Sequence, residues 1–167
     1  MPYAIEDNTL GGEEAGAGPA DRSMNERIQI LVDTREKTPW SFDPEKFEVI
    51  TTTLQAGDYS LDGLDHLVAI ERKSLGDFVS TVIHDWLRFR KELNRLSGYT
   101  CTAIVVETDL EKIFEHRYES EALPASVLGR MNAIYIETGI PVLLWGNATL
   151  AADMASRFLT LAWRKLS

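Results

Sequence analysis

Residues 68–77 read VAIERKSLGD, and no other stretch restricts the possible folds as strongly. An apolar strand runs straight into Glu71, Arg72 and Lys73, and Ser74-Leu75-Gly76-Asp77 then opens a helical pattern. Side chains on a strand alternate faces, so Glu71 and Lys73 share one face and Arg72 takes the other. Unpartnered charge at the end of a buried strand costs far more than a marginally stable fold tolerates. The strand must therefore end at a cleft, or other charged groups must converge on it.

The flanking elements fit such a strand. RIQILVD (27–33) reads as a buried strand, and TREKTPWSFDPEK as turns punctuated by Pro39 and Pro44. FEVITTTL (47–54) is β-branched and strand-like. Gly57 breaks it, DYSLDG is a short strand into a turn, and HLVAIERK returns, a spacing that predicts an antiparallel meander. Beyond Ser74 the period becomes helical, as one long helix or as two with a break near His84-Asp85. CTAIVVE (101–107) is a continuous apolar strand of the kind covered on both faces. Thr108 with Glu111 resembles a capping box for a short helix. Pro124 opens another helix, with Val127, Leu128, Met131, Ile134 and Tyr135 as its stripe, and Gly139 closes it. IPVLLW (140–145) is a last strand, and Asn147 caps a final helix carrying Leu150, Met154, Phe158, Leu159 and Ala162. A β-meander followed by alternating helices and strands predicts an α/β sandwich around a mixed sheet flanked by helices.

The chain has 167 residues, enough for one domain, and no apolar run approaches membrane-spanning length. No basic segment followed by an apolar one marks a secretory leader, so no membrane partner is expected. The lone Cys101 cannot form an internal disulfide, which points to a reducing, cytoplasmic compartment. Formal charge is −9. Residues 1–26 contain six acids and one base, are rich in Gly and Ala, and are expected to form an acidic disordered tail before a domain over 27–167. The remainder is still acidic, so any surface for nucleic acid must be a local stripe.

An acid at a turn, a short hairpin, then Glu-x-Lys is the pattern of the PD-(D/E)XK nucleases, and Asp58, Glu71 and Lys73 stand in it. Taken with VDTRE (32–36), GDY (57–59), ERKSLGD (71–77) and VLGRMNAIYIETGIPVLLW (127–145), the chain resembles the nuclease domain of the XPF-type structure-specific endonucleases over roughly residues 28–166. The resemblance implies a restriction-endonuclease-like sandwich and a DNA endonuclease acting on branched or flap-type DNA in repair or recombination. It also implies a homodimer, or a heteromeric partner supplying DNA binding, because the helix-hairpin-helix domain that family members usually add is not in this sequence. In a prokaryote or phage the protein would be nucleoid-associated. Two rivals stand beside this reading: a non-catalytic nuclease-like DNA-binding or partner subunit, and a Holliday-junction resolvase or phage-type recombination or restriction nuclease.

Phosphodiester cleavage needs hard oxygen ligands for Mg²⁺ or Mn²⁺, and Asp58 and Glu71 with the backbone carbonyl of Arg72 would provide them. Lys73 would orient or deprotonate the attacking water. By resemblance, Asp33 and Glu36 lie beside this site and serve a second metal or its waters; Arg72 stands in the catalytic motif, but on the opposite face it is equally open to a structural role with carbonyls or acids such as Glu36 or Asp77. Arg35 is split between a structural and a substrate role. Ser74 and Asp77 have the form of a capping box, which accounts for Asp77 without excluding a place near the site. Arg88, Lys91 and Arg95 recur on one helical face, open to reading as a solvated face or as phosphate contacts. Trp40 is the one tryptophan placed to stack on a base, whereas Glu107 reads as ordinary strand-end surface.

Overall fold

The computed structural model describes residues 27–167, so the expected tail over residues 1–26 lies outside the described residues. Six strands run in chain order as β1 (Ile28–Asp33), β2 (Phe47–Thr52), β3 (Tyr59–Leu61), β4 (Val68–Ser74), β5 (Cys101–Glu107) and β6 (Val142–Leu144). They form one mixed sheet in the order β2-β1-β3-β4-β5-β6. Helices α1 (Leu75–Ile83), α2 (Trp86–Leu96), α3 (Leu110–Phe114) and α4 (Pro124–Thr138) precede the final α5 (Ala148–Leu166). The α/β sandwich with a mixed sheet is as the sequence predicts.

The meander is only partly present. β3 pairs antiparallel with both β1 and β4, but β2 runs parallel to β1 on its outer side and does not pair with β3. Most of β2 is exposed or half-buried, as an edge strand should be. The turn signals around Gly57 correctly end β2, but local turn chemistry does not specify which neighbour a strand pairs with.

Alternation along β4 and β5 splits the core into two layers. Val68, Ile70 and Val105 pack on the side of α5, with Ala151, Ala155, Leu159 and Ala162 against them. Ala69, Ile104 and Val106 face the other side, where Phe78 and Val82 of α1, Phe89 and Leu93 of α2 and Ile134 of α4 cover them. α5 meets the sheet through small residues, which permit close approach. Leu150 and Met154, expected in its buried stripe, are 55% and 42% exposed. Tyr135 of α4 is likewise 57% exposed. Apolar identity marks these helices correctly, but the face that packs is set by volume.

Caps follow local chemistry. Ser74 Oγ accepts from the Asp77 amide at 3.1 Å and donates to its carboxylate at 2.7 Å, starting α1 where β4 ends. The break at His84-Asp85 is real. Asp109, not Thr108, caps α3, accepting from the Lys112 amide at 2.9 Å. Asn147 caps α5 through the amides of Thr149 and Leu150.

Gly57 is the tightest conformational requirement. Its φ is +75°, and a Cβ there would lie 2.9 Å from the Ile70 carbonyl oxygen. Left-handed backbone is costly for other residues, by about 1–2 kcal/mol, before that clash is counted. Gly57→Ala should therefore lower stability by more than about 1 kcal/mol in urea unfolding, and the divalent-ion response described below should weaken with it because Asp58 follows directly.

Candidate active site

The site forms where β3 stops and β4 continues. β3 meets β4 only at Tyr59 and Ile70, while β5 runs alongside β4 as far as Glu107. Past Ile70 the β3 side of β4 has no strand partner, and the Asp58 side chain takes its place. Asp58 donates its own amide to the Ile70 carbonyl at 2.8 Å, and its Oδ2 accepts the Arg72 amide at 2.8 Å. The N–H and C=O of one strand residue leave on the same side, so the Arg72 carbonyl also faces Asp58.

Glu71 and Lys73 follow Ala69 onto the α1–α2 face. Glu71 is 6% exposed, and Lys73 Nζ donates to its Oε1 at 2.9 Å. The Lys73 ammonium lies 5.2 Å from the centre of the Phe89 ring, so an aromatic from α2 also holds it. Burial pushes the Glu71 carboxyl up to about 8; the Asp58 charge reinforces the shift and Lys73 opposes it. Burial pushes Asp58 up to about 6, against the Arg72 hydrogen bond. Burial acts to lower Lys73, but Glu71 beside it outweighs this and raises it. Glu92, half-buried on α2, adds its negative charge to all three. Its place in the sequence gave a signal: it lies three residues after Phe89 and four before Leu96, inside the buried stripe of α2.

Arg72 follows Ile70 onto the opposite face, as alternation requires. Its Nε donates to Glu107 at 2.8 Å, its Nη1 to the Thr38 carbonyl at 2.6 Å, and Glu36 lies 3.4 Å away. The Trp40 indole donates to the same Glu107 oxygen at 2.6 Å. Glu107 is therefore a half-buried anchor and not ordinary strand-end surface. Residue spacing cannot show this, because the pairing comes from the register of β4 on β5. Trp40 also departs from expectation. It is 4% exposed, stacks on Tyr59 with ring centres 4.4 Å apart, and leaves no ring face open to a base.

Asp33 and Arg35 form a closed pair beside the site. Asp33 is fully buried; its Oδ1 accepts from the Arg35 amide and Nε, and its Oδ2 from Arg35 Nη2 and the Leu54 amide. Burial acts to raise the Asp33 carboxyl, but these donors together hold it below the usual carboxylate range. Asp33 could ligate a metal only after Arg35 swings away, and Arg35 reaches phosphate only by the same movement. The Asp33 amide still ties this loop to the Asp58 carbonyl at 2.9 Å. Glu36 accepts from the Thr38 amide at 3.1 Å on Arg72's side of the sheet, apart from Glu71. Arg88, Lys91 and Arg95 are exposed on α2, and Arg88 lies 3.6 Å from Asp85 rather than pairing with Glu92. Asp77 is engaged with Ser74 in the cap.

Among the described residues no group of three or more His, Cys, Asp or Glu side chains is arranged to hold a metal ion. The carboxylate ligands on offer are two, Asp58 and Glu71, with one backbone carbonyl beside them. Once ionised, buried Glu71 and half-buried Asp58 beside one ammonium leave a deficit of positive charge, and hard oxygens suit Mg²⁺ or Mn²⁺. The residues fit a divalent ion.

A mixed sheet with two acids and a lysine at the open end of one strand defines the restriction-endonuclease-like fold class. The family model described as ERCC4 domain matches residues 32–158, and the chain belongs to that family. XPF from Aeropyrum pernix has the same fold, with TM-score 0.64 and 23% identity over 83% of this chain and 66% of that one. A second structure, of XPF from Aeropyrum pernix in complex with DNA, gives TM-score 0.65 and 24% identity over 84% of this chain and 68% of that one. The chain thus spans about two thirds of the length of those structures. No curated protein matches it.

Two outcomes follow from the charges. Removing Arg72 leaves Glu36 and Glu107 without their cation in a half-buried setting, so Arg72→Ala should cost about 3 kcal/mol in urea unfolding. The raised Asp58 and Glu71 carboxyls keep protons in the folded chain that the unfolded chain has already released. Their contribution is complete below about pH 4 and is lost as pH rises through about 6 and about 8. Asp33, held low, acts below this window. In EDTA the urea midpoint should fall between pH 5 and pH 8, Glu71→Gln should flatten that fall, and Mn²⁺ should raise the midpoint more at pH 8 than at pH 5.

Proposed function

We propose that this chain is a Mg²⁺- or Mn²⁺-dependent endonuclease that hydrolyses phosphodiester bonds in DNA. The observation that carries the reading is that half-buried Asp58 and buried Glu71 interact with each other, with the Lys73 ammonium bonded to Glu71. Both carboxylates and the Arg72 carbonyl would hold the cation, which when bound would supply charge neutralisation at the phosphate and a lowered pKa of water. Lys73 keeps two donors beyond its bond to Glu71; they orient a water and meet the charge that develops on the phosphate oxygens. Arg88, Lys91 and Arg95 on α2 would hold the backbone of the duplex. Support for DNA as the polymer comes from family membership and from the Aeropyrum pernix structure in complex with DNA.

Branched or flap-type DNA, met in repair or recombination, is the substrate we favour within this reading. A homodimer belongs to it as well. Ile136 and Tyr135 of α4, and Leu150 and Met154 of α5, are exposed apolar residues. A second copy of the chain would cover them, and Ile136→Asp should shift a dimer to monomer in sedimentation.

The direct test is incubation with flap, fork, four-way junction and plain duplex DNA in Mg²⁺, Mn²⁺ or EDTA. Cleavage should disappear in EDTA and fall at least about 100-fold in both Glu71→Gln and Lys73→Ala. Undiminished cleavage by both variants would overturn the site. Tight binding without cleavage in either metal would assign the chain to the non-catalytic class.

A further inference from the structure

On the side of the sheet away from Glu71 and Lys73 lies a groove of about 1040 Å³ between the 38–47 segment and α5. Its α5 wall is a single helical face, Thr149, Asp153, Ser156, Arg157, Thr160 and Arg164, which meets the buried alanine face at Ala152. Phe158 points elsewhere, to a separate cavity with Thr138 and Pro141. Four bases line the groove, Lys46, Arg72, Arg157 and Arg164, against two acids, Asp43 and Asp153. In a chain of formal charge −9 that is a local reversal of sign.

Arg72 is committed to Glu107 and Thr38 at the floor. The other three bases are accessible. Lys46 lies 3.1 Å from Asp43 and Arg157 2.9 Å from Asp153, with the two basic side chains 73% and 68% exposed. Exposed pairs of this kind are weak enough for phosphate to displace. Arg164 makes no salt bridge among the described residues, and Phe42 and Leu161 add apolar wall. Bases interleaved with an aromatic and an aliphatic wall suit a strand whose bases are unpaired, because a duplex would present only phosphate there.

We propose that this groove binds single-stranded DNA. It deepens the reading of the chain as a DNA endonuclease: the groove touches Thr38 and Arg72, so a strand lying in it runs along the loop that borders the catalytic face. Its strand would be an unpaired arm of the substrate and not the one being cut.

The test is fluorescence anisotropy of a labelled 20-nucleotide oligo-dT, in EDTA, across a salt series. The variant is the full chain carrying Lys46→Ala, Arg157→Ala and Arg164→Ala, with its unfolding midpoint checked against the parent. Loss of three phosphate contacts should flatten the slope of log K against log salt by about 2. A control carrying Lys112→Ala and Arg117→Ala, away from the groove, should leave the slope nearly unchanged. An unchanged slope in the triple variant, an equal loss in the control, or an equal loss on a 20-base-pair duplex would each overturn the proposal. So would a peptide of residues 1–26 that displaces the oligonucleotide at equimolar concentration, because the groove would then belong to the chain's own acidic segment. Cleavage is measured separately with the parent chain. Its absence would remove the endonuclease reading and leave the anisotropy result standing.

Discussion

Past Ile70, β4 keeps its partner on one side only, and the carboxylate of Asp58 replaces the missing strand on the other. A buried amide without an acceptor would cost about 1–3 kcal/mol, so the Arg72 N–H needs this bond whether or not the chain does chemistry. One oxygen of Asp58 meets the need. The other accepts no hydrogen bond from the described residues. The structural task thereby takes one atom of the side chain and leaves the other unengaged among the described residues. The left-handed turn at Gly57 follows from the same demand, since Asp58 reaches β4 only if the chain passes within contact distance of the Ile70 carbonyl.

Much of this was legible in the residues. Alternation along VAIERK put Glu71 and Lys73 on one face and Arg72 on the other. Ser74 and Asp77 announced the cap, and His84-Asp85 the break between α1 and α2. What could not be read was whatever depends on register or on competition between donors. Glu107 looked like surface because its partners, Arg72 and Trp40, are 35 and 67 residues away. Asp33 looked available because a sequence does not show that Arg35, two residues on, closes over it. Trp40 sits in a polar loop, a position that suggests exposure. Its burial comes from Tyr59, whose hydroxyl accepts the Trp40 amide and whose ring stacks on the indole. Tyr59 reaches that place only because β3 lies between β1 and β4, a pairing that the turn signals alone did not give.

The acids around β4 also bear on how a polyanion would approach. Glu36, Asp58, Glu71, Glu92 and Glu107 outnumber Arg72 and Lys73, while Asp33 and Arg35 cancel each other. Phosphate near such a cleft is repelled unless a cation enters with it. The screening length at physiological salt is about 8 Å, so attraction from bases farther off acts on other parts of the polymer and not on the phosphate in the cleft. On this chain those bases stand on both sides of the acids, on α2 above one face of the sheet and along α5 below the other. On the proposed function, such an arrangement would tie affinity to contacts remote from the reacting phosphate and leave the divalent ion to decide whether that phosphate enters at all. An acidic protein would then, on that same function, hold DNA without neutralising the site proposed to bind metal.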